Sequence, residues 1–226
     1  MNVAFIPARC GSKSIKLKNI KLFLNKPLIY WSIKSLEESP MIDEIVVATD
    51  CSKIKRIVES YNSKKVRVYE RDELNARDNS STESVMLEFL KKEKYNDDDN
   101  FLLIQATSPL TETKDYEEAL NKIKKENSDS LLTCVRVKKF IWSDDNMPLN
   151  YKYTNRPRRQ DFKGVLIENG AFYINTVSNI IKSENRLSGK ISIYEMDEYK
   201  YIDIDEEDDW IVAEGLMKKY TKFKNK

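Results

Sequence analysis

Hydrophobic and polar positions along the chain follow two alternating periods, and their order predicts the architecture. Val3–Pro7 is a short apolar run that reads as a strand. Glu44–Thr49 (EIVVAT) and Phe101–Gln105 (FLLIQ) are unbroken apolar runs, the pattern of strands buried on both faces. Between them the period lengthens to that of a helix. Pro27–Leu36 carries Leu28, Trp31, Ile33 and Leu36, and Ser84–Lys92 carries Val85, Leu87 and Leu90. Ser52–Tyr61 and Tyr116–Lys125 read as helices, Val66–Tyr69 and Ser130–Val137 as strands. Further on, Ala171–Asn175 is a strand, Val177–Lys182 a helix, and strands are expected near Ile191–Tyr194 and Tyr201–Ile204. Trp210–Tyr220 is a closing helix. Strands alternating with helices predict an α/β fold: a Rossmann-like, mostly parallel sheet with helices on both faces.

The rhythm breaks once. Lys138–Lys163 has no clear period and is too long for an ordinary loop. Its aromatics (Phe140, Trp142, Tyr151, Tyr153) argue against disorder. Residues 1–226 therefore read as one domain, with 138–163 an excursion inserted in it.

Composition narrows the chemistry. There is no histidine, which excludes Ser-His-Asp and Cys-His catalysis, His-ligated zinc and an imidazole base. The 39 Lys+Arg and 37 Asp+Glu leave a net charge of +2, too balanced for a nucleic-acid or membrane partner held by bulk field. No stretch reaches membrane-span length, and the amino-terminal residues carry no targeting pattern. A soluble, cytoplasmic protein is expected. Cys10, Cys51 and Cys134 are odd in number and far apart, so three reduced thiols are expected rather than a disulfide framework.

Four constellations could carry chemistry. Pro7–Lys13 (PARCGSK), followed by Lys16, Lys18 and Asn19, comes directly after the first strand, where open α/β sheets bind ligands. Arg9, Lys13 and Lys18 beside Gly11 could hold a polyphosphate, or form a solvated basic turn; the run is neither a Walker A loop nor G-x-G-x-x-G. In Tyr201–Asp205 (YIDID), alternation sends Ile202 and Ile204 one way and Asp203 and Asp205 the other. The two carboxylates could share a divalent cation, or the acidic run to Asp209 could cap the last helix. Arg71 with Ser80–Thr82, and Gln105 after FLLIQ, offer donors and acceptors for a base or sugar; a polar loop with a helix cap is the plainer reading. Arg156, Arg158 and Arg159 in RPRRQD could clamp a carboxylate or be a surface patch.

Taken together, PARCGSKSIKLKN, QATSP, RPRRQD with ENGAFYI, and DIDEEDDW resemble, in order and spacing, the acylneuraminate cytidylyltransferases, which make CMP-sialic acid. The likeness runs from about residue 3 to 215 and is greatest to the animal-type enzymes and their bacterial relatives. It implies a nucleotidyltransferase-type fold and transfer of CMP from CTP to the anomeric hydroxyl of a sialic acid. By position, Arg9, Lys13, Lys18 and Asn19 would hold the CTP phosphates and cytosine end. Arg71, Ser80, Thr82 and Gln105 would contact nucleotide or sugar, and Asp203 and Asp205 would hold Mg²⁺. Arg158, Arg159 and Gln160 resemble residues that reach a neighbouring subunit's site, which implies a homodimer built through the excursion, and Arg156 would bind the substrate with Gln105, Arg159 and Gln160. Catalysis would come from positioning and charge neutralisation by Arg9, Lys18 and Arg158, with a carboxylate such as Asp203, through metal-bound water, as the base. Departures are Cys10 for a usual Gly or Gln, Glu83 in the Ser-rich loop, and no mammalian C-terminal extension. CMP activation of Kdn, Kdo, legionaminic or pseudaminic acid, a metal-dependent glycosyltransferase and a non-catalytic nucleotide sensor are the alternatives.

Overall fold

The structure is a computed structural model, and it describes residues 1–11, 14–72, 75 and 80–220. Seven strands form one sheet in the spatial order β5-β4-β1-β6-β8-β7-β9. These are β1 (Asn2–Pro7), β4 (Glu44–Thr49), β5 (Val66–Glu70), β6 (Asn100–Ile104), β7 (Ser130–Val137), β8 (Val165–Thr176) and β9 (Ile191–Met196). Only β8 runs against its neighbours, so the sheet is mostly parallel. A two-stranded hairpin, β2 (Leu22–Phe23) with β3 (Lys26–Pro27), lies outside it.

Helices cover both faces because both faces of the central strands are apolar. Ala4, Ile6, Ile45, Val47, Leu102 and Ile104 pack on α1 (Leu28–Glu37), α2 (Ser52–Glu59) and α4 (Thr113–Glu126). The alternate residues Val3, Phe5, Val46, Ala48, Phe101 and Leu103 pack on α3 (Thr82–Lys92) and α5 (Val177–Ser183). A third cluster seats α6 (Glu207–Tyr220): Trp210, Ala213 and Met217 meet Phe23, Leu28, Trp31, Ile202 and Ile204.

Three expectations are corrected. Residues 201–204 are not a strand: the 3-10 turn Glu198–Tyr201 leads into irregular backbone. The alternation survives without the ladder, since Ile202 and Ile204 are buried while Asp203 is half-buried and Asp205 exposed. The strand expected at Ala171–Asn175 starts six residues earlier, because β8 passes through a bulge. Leu132 faces Tyr173 and Cys134 faces Glu168, so two steps along β7 match five along β8. The Thr133 hydroxyl fills the gap, donating to the Phe172 carbonyl at 3.2 Å and accepting from its N–H at 3.3 Å. Cys10 and Cys51 are not free thiols but are joined sulfur to sulfur, with Cα atoms 4.9 Å apart. They are distant in sequence, yet β1 and β4 are parallel neighbours and deliver them to adjacent strand ends. Cys134 is free and buried.

The excursion is ordered around its own small core. Phe140 packs against Tyr151 at 4.4 Å and Phe162 at 4.8 Å between ring centres, and Ile141 and Leu149 pair through a 2.8 Å backbone hydrogen bond. It leaves and returns between paired residues, Val137 and Val165. Gly164 makes the return: its φ is +80°, and a side-chain carbon there would lie 2.5 Å from the Val137 carbonyl oxygen.

Candidate active site

At the carboxyl ends of β1, β5 and β6 the chain encloses a polar cleft of about 270 Å³. Arg9 enters from the loop after β1, and Lys18 and Asn19 from the 3-10 turn Lys18–Ile20. Arg71 follows β5, and Gln105 follows β6. Ser80 and Thr82 flank Ser81, whose hydroxyl caps α3 by accepting from the Ser84 N–H at 3.0 Å. So the helix-cap and ligand readings of this Ser/Thr run describe neighbouring residues of one turn. Seven residues singled out from sequence (Arg9, Lys18, Asn19, Arg71, Ser80, Thr82 and Gln105) thus line one cleft. Lys13 lies outside the described residues.

Arg9, Lys18 and Arg71 bring three positive side chains to this cleft. Arg71 is buried, and burial pushes its pKa down, opposed by Asp50 and Glu88 and helped by Arg9. Its Nε is buried without a hydrogen-bond partner, a donor left over in a polar cavity. The counter-charge sits at the rim. Lys18 Nζ donates to the Ile204 carbonyl at 2.6 Å and pairs with Asp205 Oδ1 at 3.1 Å, and the Ser14 hydroxyl donates to the Asp205 carbonyl. The Ile204 N–H donates to the carbonyl of cleft residue Thr107 at 2.9 Å. Basic loop and acidic pair, far apart in sequence, are therefore bonded neighbours.

Asp203 has one buried carboxylate oxygen with no partner. Burial raises its pKa, and nearby Asp205 adds to the rise while Thr107 and Lys18 oppose it. An orphaned buried carboxylate oxygen beside a second carboxylate suits a hard cation such as Mg²⁺. Among the described residues no group of three or more Cys, Asp or Glu could hold a metal alone, so such an ion would complete its shell with substrate oxygens and water. The helix-cap reading also holds: Asp209 accepts from the Asp205 and Glu206 N–H groups at 3.0 and 2.8 Å.

Arg156, Arg158, Arg159 and Gln160 do not line this cleft. All four are exposed on the excursion, where the Arg156 guanidinium lies 4.3 Å from the Phe140 ring centre. The sequence reading missed the contribution of the β8 bulge. A side-chain carbon at Gly170 would lie 3.9 Å from both Asp203 Oδ2 and the Tyr173 hydroxyl, so at the bulge only Gly170 separates that hydroxyl from Asp203. Tyr173 donates to Glu168, and burial first, then that bond, raises its pKa to about 12. The only sequence signal was the Asn-Gly of ENGAFYI, a backbone irregularity inside a strand.

Fold and cleft define a doubly wound α/β protein with its polar site at the strand carboxyl ends. A family model described as cytidylyltransferase matches residues 3–225. The chain belongs to the cytidylyltransferase family. It is 35% identical over 227 residues to N-acylneuraminate cytidylyltransferase A of Danio rerio, covering 97% of this chain and 51% of that protein. It is 27% identical to N-acylneuraminate cytidylyltransferase of Streptococcus agalactiae serotype V, covering 95% of this chain and 53% of that protein. The chain thus spans about half the length of the curated relatives it matches. Among solved structures, CMP:2-keto-3-deoxy-manno-octonic acid synthetase complexed with CTP shares the fold, with a TM-score of 0.70 at 16% identity over 98% of this chain and 100% of that one.

Proposed function

We propose that this chain transfers CMP from CTP to the anomeric hydroxyl of an N-acylneuraminate, releasing pyrophosphate. The observation that carries the reading is the meeting of the basic cleft and the acidic pair through Lys18. Arg9, Lys18 and Lys13 would grip phosphate oxygens. Arg71, Ser80, Thr82 and Asn19 offer donors and acceptors suited to the base and ribose, and Gln105 to the sugar acid. Asp203 and Asp205 would hold Mg²⁺, which when bound neutralises phosphate charge. The protein's own part is positioning: fixed cations meet charge as the bond to the α-phosphorus forms and pyrophosphate leaves. No imidazole is needed for that work.

The exposed Arg158, Arg159 and Gln160, with Arg156, would complete the site of a second copy, making a homodimer through the excursion. Trp142, Met147, Leu149 and Tyr153 are exposed there, the composition of a surface that another chain covers. We place the reaction in the cytoplasm, where CTP is available. Among the described residues no helix is long and apolar enough to cross a membrane.

The deciding experiment mixes purified protein, CTP and Mg²⁺ with a panel of nonulosonic acids and Kdo and measures pyrophosphate. N-acylneuraminate should give the highest kcat/KM. Turnover only with another acid would move the substrate assignment, and silence across the panel would overturn the reading.

A further inference from the structure

Glu88 is a charged side chain from the buried face of α3, 8% exposed, and it does not line the cleft. One carboxylate oxygen accepts from the Tyr69 hydroxyl at 2.7 Å and from the Asp72 N–H at 2.9 Å. The other accepts from Asn75 Nδ2 at 2.6 Å. Asn75 closes a turn, its N–H donating to the Asp72 carbonyl at 2.9 Å, and its own carbonyl accepts from Arg71 Nη2. One carboxylate therefore holds the end of β5, the first residue beyond Arg71, and the residue on which the guanidinium rests. Burial alone would raise the Glu88 pKa, but the bonds from Tyr69, Asn75 and Asp72, with Lys92 Nζ 3.4 Å away, outweigh it and hold the group below the usual carboxylate range.

This arrangement costs more than packing requires. An apolar residue would fill the site on α3 without the penalty of a buried charge. What the carboxylate adds is a fixed direction for Arg71, whose flexible side chain must otherwise lose rotamer freedom when a ligand binds.

We propose that Glu88 is a positioning residue for nucleotide binding: through Asn75 it preorganises the Arg71 guanidinium toward the base-and-ribose end of the cleft. This rests on the cleft being the CTP site. The amide of Glu88→Gln cannot accept from Asn75, while its oxygen still serves Tyr69 and Asp72. Paired with Asn75→Asp, the same amide becomes the donor and the bond is remade with its direction reversed.

Calorimetric titration of the full chain with CTP and Mg²⁺ tests this. Glu88→Gln should weaken CTP binding about tenfold, the effect of losing one charge-assisted bond. In turnover the loss should fall on KM for CTP, with kcat within about twofold. The Glu88→Gln/Asn75→Asp pair should recover most of the affinity. Added to Arg71→Ala, Glu88→Gln should cost little more, because its effect passes through Arg71. If Arg71→Ala weakens CTP binding and Glu88→Gln does not, or if the two losses simply add, the positioning role is overturned. If Arg71→Ala leaves CTP binding unchanged, the nucleotide assignment of the cleft fails first and takes this inference with it. Should Glu88→Gln fold poorly, Asn75→Ala cuts the same link on the less buried side and is expected to give the same rise in KM.

Discussion

The Asp203 carboxyl group is half-buried, with one oxygen unpartnered, and burial holds its pKa above the unfolded value. Folding then favours the protonated form. The stability tied to that preference is present below the unfolded pKa and lost as pH rises through the folded one. At neutral pH the ionised group opposes folding. Asp203→Asn should therefore raise the melting temperature by about 2 °C or more at pH 7 while cutting turnover at least 100-fold. A variant with near-normal turnover would remove the proposed metal role. Gly164 gives the opposite kind of test. Gly164→Ala puts a methyl group against the Val137 carbonyl at positive φ, and about 1–2 kcal/mol or more should be lost in a urea titration. At this scale much of the cleft was legible in the sequence, because Arg9, Arg71 and Gln105 lie where strands end. Tyr173 was not legible. It comes near Asp203 only through a bulge, and a bulge is fixed by the partner strand rather than by local pattern. The Cys10–Cys51 pairing was misread for a similar reason: sequence distance says nothing of which strands become neighbours.

Among the elements, those whose period is set by two-sided burial lay where the pattern put them, as β4 (Glu44–Thr49) and β7 (Ser130–Val137) show. The pattern failed where something other than apolar contact fixes the backbone. Residues 198–201 form a 3-10 turn held by Lys200, which is fully buried and bonds Asp115 at 2.7 and 2.9 Å and Glu112 at 2.8 Å. Those carboxylates begin α4, so the ion cluster ties the segment leading to Asp203 onto that helix. Burial raises the Asp115 pKa and Lys200 opposes the rise. Lys200→Met leaves Asp115 buried without its cation and should cost about 3–5 kcal/mol, read from the urea midpoint. An unchanged midpoint would mean that Asp115 is simply protonated there.

For the whole molecule, the excursion hangs from a hairpin that is closed before it begins, since Arg136 and Val137 pair with Leu166 and Val165. The sheet does not need it. Replacing 138–164 with Asn-Gly, a two-residue turn suited to such strands, should leave a folded chain that binds CTP. If the arginines of the excursion serve a second copy, that chain should be a monomer by light scattering and release no pyrophosphate. A fully active monomer would end the partner role.

Lys18 and Asp205 are 187 residues apart, yet they meet at the cleft. A ribosome adding about 5–20 residues per second separates them by roughly 10–40 s. For that interval the nascent chain presents its basic loop without the acidic segment that will balance it. The ion pair that joins the two can form only after both have left the exit tunnel. The rim of the cleft is thus among the last parts of the molecule to close.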